Sequence, residues 1–303
     1  MIDIFHIKTI SEVHEQYGLP KPSHPMVSVI TDFSGAQHID LRKIKVTTEL
    51  YSISLKSKSD GAFRYGRKTY DFQEGTLIFL KPNQVAGYDD GDEPITPEST
   101  WNLLFHPDLI RKSELGRVIN DYTFFDYDAR EALHLSNEEK RSINEIIGFI
   151  KKEVSSTIDK HSQDLIISNI KLLLDYCRRY FDRQFYTRQN LNSDKLAEFE
   201  AALIDYYDTG IALEKGTPTV SFLGERLGLS PYYLSDLLKK ETGKNTIEHI
   251  HHFIVNRAKN SLLSTNKSIS EIAYGLGFEY PQHFAQVFKK KTGLTPSEFR
   301  KTF

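Results

Sequence analysis

Cysteine is almost missing from this chain. Cys177 is the only one among 303 residues, which excludes an intrachain disulfide framework. Also missing is any apolar run approaching the ~18 residues that suggest a membrane span. The N-terminus, Met1-Ile2-Asp3-Ile4-Phe5-His6, has an early acid and no basic stretch leading into an apolar core, so it does not read as a signal peptide. These absences lead to the expectation of a cytoplasmic protein with no membrane association. Excess charge is lacking too: 39 Lys+Arg stand against 41 Asp+Glu, a net of −2, which by itself argues against a polyanionic partner. What is present, 39% hydrophobic and 26% charged residues, is ordinary for a soluble globular protein long enough for two domains.

The average charge hides an asymmetry. Residues 217–303 carry 12 Lys+Arg and 7 Asp+Glu, a net of +5, so the remainder carries −7. A basic module joined to an acidic one points to divided labour, with one part attracting a polyanion.

Residues 1–25 are polar, end in Pro20-Lys21-Pro22-Ser23-His24-Pro25, and read as an N-terminal arm. From Met26 to about Phe105 the signals are β-like. Residues 26–33 and 101–105 are strand candidates. Tyr51-Ser52-Ile53-Ser54-Leu55-Lys56 alternates at period 2, and Gly75-Thr76-Leu77-Ile78-Phe79-Leu80 is a short apolar run stopped by Lys81-Pro82-Asn83. Several short strands with turn signals between them suggest a sandwich or small barrel. Residues 87–97 read as a loop, and His106-Pro107-Asp108 as a helix start.

The period changes at Ser136. Ser136-Asn137-Glu138-Glu139 is a capping box, followed by Ile143, Ile146, Ile147 and Ile150 at helical spacing. A second helix, over residues 162–181, has too many apolar positions for one stripe. It therefore needs two partners, and packing against its neighbour helix and a subunit interface are both open. A third helix covers residues 193–207, and residues 210–218 read as a tether.

The last quarter contains one pattern twice. The first copy is Leu227-Gly228-Leu229-Ser230-Pro231, then Leu234, Leu237-Leu238-Lys239-Lys240 and Thr242-Gly243. The second is Leu276-Gly277-Phe278, then Tyr280-Pro281, Phe284, Val287-Phe288-Lys289-Lys290 and Thr292-Gly293. From the prolines on, the copies match at an offset of 50. Each reads as a helix-turn-helix, over residues 219–243 and 268–293. Ser230 is a good N-cap, Pro231 suits the first helical position, and Gly243 stops the helix. A helix over 246–264 joins the two units. At 1.5 Å per residue it is about 28 Å long, close to the ~34 Å of one DNA turn. The residues left to face outward are Tyr232, Tyr233, Ser235, Asp236, Lys239 and Lys240 on the first unit. On the second they are Gln282, His283, Gln286, Lys289, Lys290 and Lys291. Gln can pair with adenine and Asp can accept from cytosine, while the lysines suit phosphates. One Lys-Lys pair would read as a solvated face, but two in register do not.

These residues resemble the AraC/XylS family of bacterial transcription regulators. The strongest match is Ser268-Ile269-Ser270-Glu271-Ile272-Ala273-Tyr274-Gly275-Leu276-Gly277-Phe278, continued by Phe284 and by residues 287–300 up to Phe299-Arg300; Arg257-Ala258 with Leu262-Leu263 resembles the linker helix. The resemblance covers about residues 217–303. It implies an all-α DNA-binding domain whose two units enter adjacent major grooves. Family members often carry Arg on these helices where this chain has Asp236 and Gln286. Gly75 to Pro82 resembles part of the cupin-type effector-binding and dimerisation domain. No His-x-His pair occurs in residues 26–130, which speaks against a catalytic metal.

Other constellations favour plain packing. His249 and His252 share a helix face at i, i+3 but lack a third ligand. Cys177 lies in an apolar helix with no His beside it. Tyr51, Phe79 and Trp101 on the strands are effector-pocket candidates, although such residues are more often core.

The expected architecture is α+β. A cupin-like barrel or sandwich occupies residues 1–135, a helical dimerisation region 136–210, and a two-unit helix-turn-helix domain 217–303. The expected function is sequence-specific regulation of transcription, with double-stranded DNA, a small-molecule effector, a second copy of the chain and RNA polymerase as partners, and no enzymatic activity, cofactor or metal. Two rivals are a cupin enzyme fused to a targeting module and an architectural DNA binder without an effector.

Overall fold

The computed structural model describes residues 3–32, 44–56, 64–65, 68–69, 75–86, 99–128, 131–157 and 159–302. The expected loop at 87–97 lies outside them. The chain divides into two units, residues 1–187 and 188–303.

The first unit opens with β1 (Asp3–Ile7) and α1 (Ile10–Gln16), where the composition suggested only a polar arm. β1 pairs in parallel with β3 (Ile44–Thr48), a partner about 40 residues away that local sequence does not reveal. Thr9 caps α1, and Ile7, Ile10 and Val13 join Ile30, Leu50 and Leu104 in one cluster. β2 (Val27–Ile30), β4 (Tyr51–Lys56), a hairpin of β5 (Arg64–Tyr65) and β6 (Lys68–Thr69), β7 (Thr76–Leu80), β8 (Val85–Ala86), β9 (Ser99–Phe105) and β10 (Leu133–His134) complete the strands. One sheet has the order β10-β7-β4-β9-β2 and is antiparallel throughout; a second has β1-β3-β8. Among the described residues these are separate sheets and not one closed barrel.

Register assigns the faces of the larger sheet. Tyr51 lies opposite Phe105, Ile53 opposite Phe79 and Leu103, and Leu55 opposite Leu77 and Trp101, so all eight point to one side. After α2 (Pro107–Ile110), α3 (Glu114–Val118) and a 3-10 turn at Ile119–Asp121, that side is met by a second 3-10 turn at Thr123–Asp126, by α4 (Asn137–Ser155) and by α5 (Ser162–Thr187), through Phe124, Phe125, Asn144 and Phe181. The opposite side carries Ser28, Ser52, Ser54 and Asn102, and the Ser52 hydroxyl donates to Asn102 Oδ1 at 3.0 Å.

α4 starts in the expected capping box, and Glu139 of that box also takes a two-pronged bond from Arg183 at 2.9 and 2.7 Å. Arg183 and Gln184 both reach β10: Arg183 donates to the His134 carbonyl, and Gln184 Oε1 accepts from the His134 amide. These bonds lock α5 onto the sheet edge. α5 runs six residues past the expected end at 181. Most of its apolar positions, including Cys177, are buried, while Leu165 and Leu172 are exposed.

The second unit is all helical: α6 (Gln189–Asp208), α7 (Ile211–Lys215), α8 (Val220–Leu227), α9 (Pro231–Thr242), α10 (Thr246–Ser264), α11 (Ile269–Gly275), α12 (Pro281–Thr292) and α13 (Pro296–Thr302). The sequence grouped residues up to 210 with a dimerisation region. The structure places α6 in this unit, because its Phe199, Leu203, Tyr206 and Tyr207 are buried there. Residues 210–218, expected as a tether, contain α7, and the Tyr206 hydroxyl donates to the Gly216 carbonyl at 3.0 Å.

Candidate nucleic-acid interface

Each helix-turn-helix is assembled from local signals. Thr219 caps α8, and Gly228, at φ +67°, stops it. Ser230 accepts the Tyr233 amide at 3.3 Å and Pro231 opens α9, which ends at Gly243, φ +76°. In the second unit Ser268 and Glu271 form a full capping box. Pro281 opens α12 and Gly293, φ +82°, closes it. The repeat extends to detail: Thr242 and Thr292 each donate to the carbonyl four residues back, Leu238 and Phe288, at 2.7 and 2.8 Å. α10 runs from a capping box at Asn245 and Glu248 to Ser264. α13 is tied to its far end by Arg300, which donates to the Leu262 and Lys267 carbonyls at 3.2 and 2.6 Å.

Both α9 and α12 bury one side and expose the other. Leu234, Leu237 and Leu238 are buried on α9, and Phe284 and Phe288 on α12, with Val287 half-buried. Gln282, His283, Gln286, Lys289, Lys290 and Lys291 are all exposed, as are Tyr232, Lys239 and Lys240. Three residues differ from expectation. Tyr233 is 1% exposed, so it is core and cannot read DNA. Ser235 is half-buried and bonds to Thr246 at 3.0 Å, which turns it toward α10; Asp236 is also half-buried. Tyr233 and His283 occupy the same place in the repeat, yet one is inside and the other outside. An aromatic ring can fill the core at that position, whereas the smaller, more polar imidazole stays in solvent.

α6 braces both helix-turn-helix motifs. Its Tyr206 ring meets Phe222 edge-on at 5.0 Å, and Asp205 pairs with Arg226 of α8. Asp208 pairs with Arg257 of α10 at 2.9 Å, and that guanidinium also sits 5.4 Å over the Tyr207 ring. The Tyr207 hydroxyl points to the Leu276 carbonyl in the turn of the second unit. Two glycines also position these elements: Gly277, already part of the repeat, and Gly224, which was missed in the sequence. A Cβ on Gly224 would lie 2.6 Å from the Leu229 carbonyl oxygen, and one on Gly277 would lie 2.6 Å from the Gly216 carbonyl carbon. For Gly224 the available signal was a glycine in mid-helix, which marks close backbone approach.

The remaining candidates fall to packing. His249 bonds to Thr242 at 2.7 Å and meets the Phe199 ring, and burial holds its pKa below the ordinary value. His252 bonds to Asn256. Among the described residues no three His, Cys, Asp or Glu side chains converge. Burial pushes the Cys177 thiol far up, which makes it unreactive. Tyr51, Phe79 and Trp101 lie on the helix-covered face of the sheet. Tyr51 stacks on Phe105 at 4.9 Å, Phe79 meets Phe124 at 4.6 Å, and Trp101 Nε1 donates to Asn144 at 2.8 Å. Beside Phe79 lies a void of about 10 Å³, too small for an effector. Alternation showed that these three share a face with core residues, but not which face would be filled.

Residues 223–302 match the family model described as a helix-turn-helix domain. The chain is similar to the uncharacterized transcriptional regulatory protein YesN of Bacillus subtilis, 41% identical over 96 residues, 30% of this chain and 26% of that protein. It is similar to the uncharacterized HTH-type transcriptional regulator YijO of Escherichia coli, 25% identical over 207 residues, 68% of each chain. It is also similar to the arabinose operon regulatory protein of Escherichia coli, 32% identical over 81 residues, 27% of this chain and 28% of that protein. The chain thus spans about a quarter of the length of the first and third of these relatives. Fold and matches together define the class: the C-terminal unit is the DNA-binding module of a helix-turn-helix transcription regulator. Within that class, the module is similar to that of the arabinose operon regulatory proteins, in keeping with the resemblance to AraC/XylS regulators.

Proposed function

We propose that the whole chain is a sequence-specific transcription regulator of the AraC/XylS type. The observation that carries this is the pair α9 and α12, each with exposed side chains along one side and exposed lysines at its C-terminal end. Tyr232, Asp236, Gln282, His283 and Gln286 read base edges, and Lys239, Lys240, Lys289, Lys290 and Lys291 hold phosphates. The two helices carry different side chains at matching positions, so they read different bases.

In this reading the first unit is a cupin-like sensor. Its small-molecule effector lies on the face opposite Tyr51, Phe79 and Trp101, where buried Ser28, Ser52 and Ser54 sit beside Asn102. Hydrogen-bonding groups among apolar neighbours suit a polar ligand. Dimerisation uses α5, whose Leu165 and Leu172 lie two turns apart and are exposed. RNA polymerase is the further partner that transcription activation would require.

The test is selection of bound sequences from a random duplex pool, followed by affinity measurements for the selected and scrambled duplexes at one salt concentration. The reading expects a ratio of at least about 10³. A ratio near one would leave only an architectural binder.

A further inference from the structure

The C-terminal unit contains a cavity that the DNA-reading surface does not use. It has a volume of about 320 Å³ and is walled by Pro218, Val220, Ile250, Ile254 and Phe278. That volume is at the lower end of the range for small-molecule pockets. Three elements meet there: the segment leading into α8, the buried side of α10, and the turn of the second helix-turn-helix. Polar groups are few, chiefly Thr217 and His251. The Thr219 hydroxyl is already occupied in capping α8.

The His251 pKa is lowered first by burial and then by the charges of Lys291 and Lys290, so its ring is neutral near pH 7 and two ammonium groups act on this region. An apolar cavity with two ammonium groups acting on its His251 edge favours a molecule with an apolar body and one negative charge.

We propose that this cavity binds a small carboxylate with a compact apolar or aromatic body of about ten non-hydrogen atoms. The body contacts Val220, Ile254 and Phe278, and the carboxylate lies toward His251 and the Lys290–Lys291 side. Such a ligand touches the start of the first helix-turn-helix and the turn of the second at once. It therefore favours the arrangement of the two helix-turn-helix motifs in which the cavity is formed. This consequence for DNA rests on the function proposed above; the binding site itself does not.

The test needs no DNA. The full chain, labelled at isoleucine methyls, is titrated with phenylacetate and separately with uncharged phenylacetamide. The expected result is saturable shifts at Ile247, Ile250 and Ile254 with a Kd below about 1 mM for phenylacetate. Binding of phenylacetamide is expected to be at least about fivefold weaker, as loss of a favourable charge contact implies. Val220→Trp, which fills the cavity, abolishes the shifts while the chain keeps its thermal unfolding transition. Ile247→Trp, at the exposed rim, is a second filling variant, read at Ile250 and Ile254. The proposal is overturned by unchanged methyl signals up to about 10 mM phenylacetate, by equal affinity for the amide, or by shifts that persist in both folded filling variants.

Discussion

The backbones of Gly216 and Gly277 lie against each other, both at positive φ, +81° and +84°. A Cβ on Gly277 would sit 2.6 Å from the Gly216 carbonyl carbon and 2.8 Å from the Thr217 amide nitrogen. Neither neighbour is a side chain that can swing away. Gly277→Ala is therefore expected to destabilise the C-terminal unit by about 3 kcal/mol, combining left-handed strain with a backbone clash. Gly243→Ala is the control. Gly243 has φ +76° but nothing within 4 Å of its Cβ direction, so only about 1 kcal/mol is expected. Denaturant unfolding of the two variants measures the difference. Equal losses would show that the close approach has no energetic weight.

Adjacent tyrosines on α9 separate core from surface. Tyr233 is 1% exposed and Tyr232 49%. Tyr233→Ala removes a buried ring and should cost about 3–5 kcal/mol. Tyr232→Ala should change stability by no more than about 0.5 kcal/mol and weaken DNA binding instead. Thermal unfolding and DNA titration of both variants check this, and a reversed pattern would invalidate the face assignment of α9.

The sequence conveyed what depends on near neighbours and missed what depends on distant ones. Ser230, Pro231, Gly243, the Ser268–Glu271 box, Pro281 and Gly293 act within four residues, so the boundaries of α9 and α12 and the start of α11 were legible. β1 was not, because its partner is β3 and its cluster is completed by Leu104. The membership of α6 was hidden for a similar reason: its ion pairs run to Arg226 and Arg257, 21 and 49 residues on. Tyr233 shows the limit at a single position. Helical spacing places it at the edge of the apolar stripe, and only the packed neighbours decide that it turns inward.

Stability of the C-terminal unit should depend on pH in the range where histidines titrate. His249 and His251 have folded-state pKa values below the ordinary 6.5, mainly because they are buried. The unfolded chain then takes up protons more readily than the folded one. Their contribution is fully present above pH 6.5 and is lost as pH falls through the lower, folded values. Melting temperatures at pH 7.5 and 5.5 should therefore fall toward the acidic side, and His249→Gln should reduce the slope. Glu271 and Glu298, also lowered, act only below about pH 4.5 and do not blur this window. A melting temperature that rises between pH 7.5 and 5.5 would contradict the burial argument.

Lys289 and Gln286 lie one turn apart on the exposed side of α12 and should fail in different ways. An ammonium group on a phosphate releases counterions whatever the sequence. Lys289→Ala should therefore weaken all duplexes about equally and reduce the slope of log K against log salt by roughly one. Gln286 makes a directional contact with one base edge. Gln286→Ala should cost about 1–3 kcal/mol on the preferred duplex only, relaxing the preference at one position and leaving the salt slope unchanged. Affinities on the preferred duplex and its single-base variants, at three salt concentrations, separate the two effects. If Gln286→Ala left every base preference intact, α12 would hold the DNA backbone at that position without reading it, and base selection would pass to Gln282 and His283, on the preceding turn.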